Sequence, residues 1–310
     1  MRALSLACLS AAALMACGEE PARQRSATTQ EDAAAPASGP DAQVKAPALS
    51  SPPLDGVPPP VEVKPPVLSP EAQLEALKKA KSELNEGRTR AAYRIFKSAM
   101  NGPDLGIKLS AGLAAAELAE LEGEVKEAQA LYERLINLGS EVAEVHLLAG
   151  RFFHRTGDSA RGIDALRAAT NLQPDLLPAW LSLGQVLIER GRHDEGATAL
   201  VQYERRLNAL SRQLEDEQVP LGDRLAIVQL LGTLNDERST ALLIKLLKHH
   251  GPLIRASAGE ALAQDDDPEA LVALSEAALQ ERDPEVKRAL TGAMLQAREA
   301  VRRSLKPEAP

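Results

Sequence analysis

Four groups of residues have types and spacings that invite a chemical reading: the thiol of Cys17, the pair His249-His250, the triplet Asp265-Asp266-Asp267, and the basic end Arg298, Arg302, Arg303 and Lys306. Two imidazoles could ligate a metal, but neighbours on a helix point about 100° apart and cannot share an ion without help. The expected place for the pair is the last helical turn before Gly251, where the helix dipole favours it. The triplet offers oxygens for calcium, yet lacks the alternating ligands and glycine of calcium loops; it reads as a solvated turn ending in an N-cap. The basic end reads as cations at a helix C-terminus, with binding to an anionic surface as the alternative. GxSxG, GxGxxG, HExxH and Walker-type spacings are absent from the sequence. No catalytic residue, metal, cofactor or small-molecule substrate is therefore expected. Two cysteines in 310 residues cannot build a disulfide scaffold or a four-thiolate zinc site. A formal net charge of −8 argues against nucleic acid as a partner.

Cys17 gains its meaning from what precedes it. Met1-Arg2 is a basic start, and Ala3 to Leu14 is apolar. As a helix those residues span only about 18 Å, short of a ~30 Å hydrocarbon core, so residues 1–16 read as a signal peptide rather than a membrane span. Leu14-Met15-Ala16-Cys17-Gly18 resembles the lipobox of bacterial lipoproteins, with Met15 where a smaller residue is commoner. The resemblance implies cleavage before Cys17 and lipid attachment to it; several acyl chains on one residue meet the requirement for stable anchoring. By analogy with enteric sorting, Gly18 in place of Asp points to the outer membrane, facing the periplasm. An ordinary signal peptide with an incidental cysteine is the alternative.

Residues 17–70 read as a disordered tether rich in Pro and Ala. Twelve of the 21 prolines fall between Gly18 and Pro70, with runs such as Val57-Pro58-Pro59-Pro60 and Lys64-Pro65-Pro66. Such runs exclude helix, and without apolar periodicity the segment cannot offset its ordering entropy by burial.

From Pro70 onward the pattern is helical. Aromatic residues are only 2% of the chain while hydrophobic residues are 44%, mostly Ala and Leu, which favours helix on helix over β architectures. Gly87, Gly123, Gly157 and Gly191 recur at intervals of 36, 34 and 34 residues. Unit 143–176 carries Gly150, Phe153, Gly157, Gly162, Leu166, Ala169 and Pro174. Unit 177–210 carries Trp180, Gly184, Leu187, Gly191, Gly196, Leu200 and Tyr203; units 73–106 and 109–142 follow the same register through Ala80, Ala92 and Phe96, and Ala116, Ala128 and Tyr132. This pattern resembles the tetratricopeptide (TPR) repeat, implying an all-α helical solenoid over residues 71–218, four units plus an extended last helix. Residues 219–306 carry a shorter repeat: Arg224, Arg255 and Lys287 head similar helices 31 and 32 residues apart, and Asp267-Pro268 and Asp283-Pro284 each join an N-cap carboxylate to an N1 proline. That segment resembles HEAT-type repeats, with second helices expected at 240–248 and 268–279 and a tail at 307–310.

The TPR resemblance implies a concave partner-binding groove lined by the first helix of each unit. The positions concerned are Leu77, Lys81, Leu113, Glu117, Leu147, Arg151, His154, Arg155, Leu181 and Gln185. A leucine stripe with mixed charged flanks would suit an amphipathic helix or an extended segment; packing of these leucines between helices is the alternative. The whole resembles TPR lipoproteins that help assemble secretins, pili or cell-wall synthases. The expectation is a non-enzymatic scaffold of the bacterial envelope, with protein partners and a lipid anchor. A passive spacer is the alternative; a cell-wall enzyme finds no candidate nucleophile or carboxylate.

Overall fold

A computed structural model describes residues 67–304; the apolar leader, Cys17, the proline-rich segment through residue 66 and the tail lie outside the described residues. Among the described residues all thirteen elements are α-helices and there is no strand. The first eight form four antiparallel pairs: α1 (Pro70–Asn85) with α2 (Thr89–Ala99), α3 (Leu105–Leu121) with α4 (Val125–Leu138), α5 (Ala143–Arg155) with α6 (Ser159–Leu172), and α7 (Leu177–Glu189) with α8 (His193–Glu215). Five more follow: α9 (Leu221–Leu234), α10 (Glu237–Leu246), α11 (Pro252–Leu262), α12 (Pro268–Gln280) and α13 (Pro284–Ser304). No helix among the described residues is long and apolar enough to cross a membrane.

The periodic glycines end the first helix of each pair. Gly87, Gly123, Gly157 and Gly191 have φ of 76°, 79°, 96° and 74°, in the left-handed region. At Gly87 the amides of Gly87 and Arg88 return to the carbonyls of Leu84 and Glu83, both at 2.9 Å, a Schellman closure repeated at Gly123 and Gly191. A Cβ at any of the four meets nothing within 4 Å, so the demand for glycine is purely conformational. Gly123→Ala is therefore expected to cost about 1–2 kcal/mol, read as a lower urea midpoint with an unchanged m-value.

Small residues then let each pair close. An added Cβ on Gly150 would lie 3.0 Å from the Gly162 carbonyl oxygen, and one on Gly184 would lie 3.3 Å from that of Gly196. Ala80, Ala92, Ala116 and Ala128, at the same register in the first two pairs, are fully buried. Beneath these contacts lie Phe96, Tyr132 and Leu166, all buried, with the Tyr132 and Phe152 rings 4.8 Å apart. The pairing and closures are those that the tetratricopeptide resemblance implies.

The remaining helices build the HEAT-like segment. Asp267 and Asp283 cap α12 and α13 as their Asp-Pro dipeptides predict: Asp267 Oδ1 accepts from the Glu269 amide at 2.8 Å, and Asp283 Oδ1 from the Glu285 amide at 2.9 Å. α10 differs from expectation, running from Glu237 to Leu246, because Asp236 and Ser239 form a capping box four residues before Thr240. His249 and His250 consequently lie beyond the helix and not in its last turn. Their carbonyls both accept from Arg255 Nη1 at 2.9 Å, which holds the loop away from helical geometry. The core does not break at residue 219: Leu181 and Tyr203 belong to one apolar cluster with Leu231, Leu262 and Leu290, because the 23-residue α8 packs on both segments.

Candidate functional site

The first helices of the TPR units stand side by side, α1 against α3, α3 against α5 and α5 against α7. Their shared face carries the predicted groove residues, but the leucine stripe is not on its surface. Leu113, Leu147 and Leu181 are 6%, 4% and 6% exposed, and Leu77 is half-buried. Each sits in an apolar cluster or packs against one. The expected apolar stripe is corrected to a core position, since the neighbouring unit closes over it.

What the face does present is polar. Arg155 Nε donates to Glu120 Oε1 at 2.8 Å, joining α5 to α3. Arg151 Nε donates to Ser182 Oγ at 2.8 Å, and His154 Nε2 lies 2.8 Å from Glu189 Oε2, both joining α5 to α7. The His154 Nδ1 lies 3.1 Å from Ser159 Oγ. Glu117 is half-buried among these groups. Burial pushes its carboxyl up to about 7; Glu120 and Glu144 add to the rise, and Arg155 and Arg151 oppose it. Burial raises the Glu144 carboxyl as well. Lys81 is half-buried and Gln185 exposed, one at each end of the row.

Glu117 makes a pH prediction. A carboxyl whose folded pKa lies above its unfolded value costs nothing below the unfolded value near 4.5, and its cost is complete above about 7. Glu117→Gln is expected to raise Tm at pH 8 and leave it unchanged at pH 4; equal shifts at both values would contradict the cause given.

The second helices are joined by ion pairs at nearly the same spacing. Lys97 of α2 meets Glu127 of α4 at 2.5 Å, Arg161 of α6 meets Glu133 of α4 at 2.8 Å, and Arg167 of α6 meets Glu195 of α8 at 2.7 Å. The row continues into the HEAT-like segment, where Arg238 of α10 meets Glu204 of α8 at 2.6 Å. Exposed pairs of this kind set register more than they add stability.

The other chemical candidates resolve into structural roles. His249 is buried, with Nδ1 accepting from the Gly251 amide at 2.9 Å, and its ring lies 4.1 Å from that of His250. Asp265 accepts from Thr240 Oγ1 at 2.7 Å, tying its turn to α10, a contact the sequence does not announce. No group of three or more His, Cys, Asp or Glu among the described residues is placed to hold a metal ion. Arg298, Arg302 and Arg303 lie exposed on α13, and Lys306 is outside the described residues.

One cluster escaped the sequence reading: Arg205, Arg206 and Arg212 on α8 line a pocket of about 440 Å³ with Asp175 and Ala209. The signal was present as arginines seven residues apart on one helical face, but the apolar period of α8 drew attention to its other side.

Comparison with known protein families bears on the HEAT-like segment. The HEAT repeats family matches residues 203–294, beginning within α8. No curated protein matches the chain. Among solved structures, MamA is 18% identical, with 45% of this chain and 81% of that chain covered and a TM-score of 0.41. YrrB, described as a TPR protein with an unusual peptide-binding site, is 15% identical, with 74% and 93% covered and a TM-score of 0.38. TTC0263, a thermophilic TPR protein of Thermus thermophilus, is 18% identical, with 72% and 100% covered and a TM-score of 0.35. The repeat reading rests on the chain's own glycine closures and helix pairing: residues 70–215 form helix pairs of tetratricopeptide-like geometry, and the helices after them are HEAT-like.

Proposed function

We propose that this chain is a non-enzymatic protein–protein interaction scaffold of the bacterial envelope. Cys17 carries the lipid anchor in the outer membrane, the proline-rich segment is the tether, and the repeats face the periplasm. The observation that carries the reading is the shared face of α1, α3, α5 and α7. It places polar side chains from four consecutive units in one row, with Leu113, Leu147 and Leu181 buried beneath to hold the helices in register. A helical or extended segment of a partner would lie along this row, exchanging hydrogen bonds with its members.

A photoreactive residue replacing Gln185 or Lys81 in living cells tests it. The expected result is one saturable adduct from either position and none from Arg94, exposed on α2. A passive spacer would give the same scattered background at all three. Substitutions at Leu147 or Arg151 are poor probes, because the first is core and the second holds Ser182 of the next unit. Fatty-acid labelling tests the anchor separately: label that survives Cys17→Ser ends the lipoprotein reading.

A further inference from the structure

Three of the four carboxylates of α8 are paired and two of its arginines are not. Glu195 is held by Arg167 and Arg192, Glu204 by Arg238, and Glu215 by Lys245. Arg205 and Arg212 are exposed, and neither guanidinium has a hydrogen bond or ion pair among the described residues. Between them in the pocket is Arg206. Its guanidinium lies 4.9 Å from the Trp180 ring centre, and its Nη1 donates to the Gln202 carbonyl oxygen and Oε1 at 2.9 and 3.0 Å. Ring and amide hold the group in one plane, yet its Nε is buried without a hydrogen-bond partner. Asp175 Oδ1 is 3.7 Å away, beyond hydrogen-bonding range, on a side chain 95% exposed.

A guanidinium held by ring and amide, lining one pocket with two exposed and unpaired ones, suits carboxylates. We infer that this face of α8 is a second docking site, which takes an acidic segment of a partner protein. Arg205 and Arg212 are seven residues apart, about 10.5 Å along the axis. That spacing matches carboxylates at i and i+7 of a helix. Ala209 leaves room between them. Separated charges suit discrete carboxylates better than a single phosphate, and Asp175 at the rim together with the chain's net charge of −8 disfavours a polyanion. The site is independent of the first-helix face, so either reading can fail alone.

The test titrates the full mature chain with a labelled alanine-based helical peptide carrying Glu at i and i+7, followed by fluorescence anisotropy. The expected result is binding that weakens about tenfold in Arg205→Glu/Arg212→Glu and recovers when the peptide carries Lys at the same two positions. Arg205→Gln/Arg212→Gln provides a milder second variant, and both arginines are exposed, so an unchanged Tm is expected in each. Equal affinity for the Gln-substituted peptide, or no effect of either variant, overturns the proposal. So does competition by inorganic phosphate or phosphatidylglycerol vesicles at concentrations where acetate has no effect, which would make the site one for phosphate. A concentration-dependent dimer abolished by the variants would identify a second copy as the occupant and overturn it equally.

Discussion

Arg255→Met is expected to lower unfolding free energy by about 3 kcal/mol, with the loss confined to pH values at which Glu281 is ionised. The Arg255 fork meets Glu281 at 2.7 Å (Nε to Oε2) and 3.0 Å (Nη2 to Oε1), with side chains only 17% and 7% exposed. The remaining nitrogen, Nη1, takes the two carbonyls before α11, while the Glu281 carboxylate also accepts from the amides of Arg282 and Asp283 before α13. One ion pair thus fixes the loops that start two successive helices. Removing the arginine leaves a buried carboxylate without its cation. The segment is only two helix layers thick, so solvent is near and the low end of the range for buried pairs applies. The guanidinium holds Glu281 down to about 2, below its ordinary 4.5. The pair's contribution is therefore present above pH 4.5 and is lost as pH falls through about 2. Urea melts at pH 7 and pH 2 check this; a difference of equal size at both values would assign the loss to packing. Arg255→Met/Glu281→Met should recover most of the pH 7 loss, because an apolar pair carries no desolvation cost.

Gly162→Val is expected to cost about 3 kcal/mol, at the upper end for overpacking. Its Cβ would stand 3.0 Å from the Gly150 carbonyl oxygen and 3.1 Å from the His154 amide nitrogen. These are backbone atoms of α5, so no rotamer change relieves the contact and the helix itself must move. His154 would then lose Ser159, and the link from α5 to Glu189 of α7 would loosen with it. Gly292→Ala in α13 is the matched control. Nothing lies within 4 Å of its Cβ, and replacing a helical glycine there should raise stability by up to about 1 kcal/mol. Paired thermal melts decide: if the two substitutions shift Tm alike, the close approach of α5 and α6 is not what Gly162 secures.

Both predictions concern residues whose type was legible in sequence and whose reason was legible only in part. Gly150 and Gly162 announce a close contact through their register. Arg255 stands out through its repetition with Arg224 and Lys287, but its carboxylate partner does not follow from spacing alone. In the preceding unit the residue three places before the helix proline is His249 rather than a glutamate. Arg224 Nε and His249 Nε2 there are both buried without a hydrogen-bond partner among the described residues. Gln73 is another case: a glutamine on a polar-looking first helix that is fully buried, bridging Ala99 and Asp104 across the α2–α3 turn.

By itself the sequence determined what depends on a few neighbouring residues. Left-handed turns at the periodic glycines, Asp-Pro helix starts, the paired-helix period and the long α8 all follow from backbone sterics and local hydrogen bonds. Tertiary structure alone decided what each helix meets on the adjacent repeat. Leu147 and Gln185 both lie on the same row of first helices, yet the next unit covers one and leaves the other open. Arg155 and Arg205 are both exposed helical arginines, yet Glu120 lies opposite the first and, among the described residues, no carboxylate pairs with the second. Burial and charge pairing are sums over atoms some thirty residues away in the chain, and no local window of sequence contains those atoms.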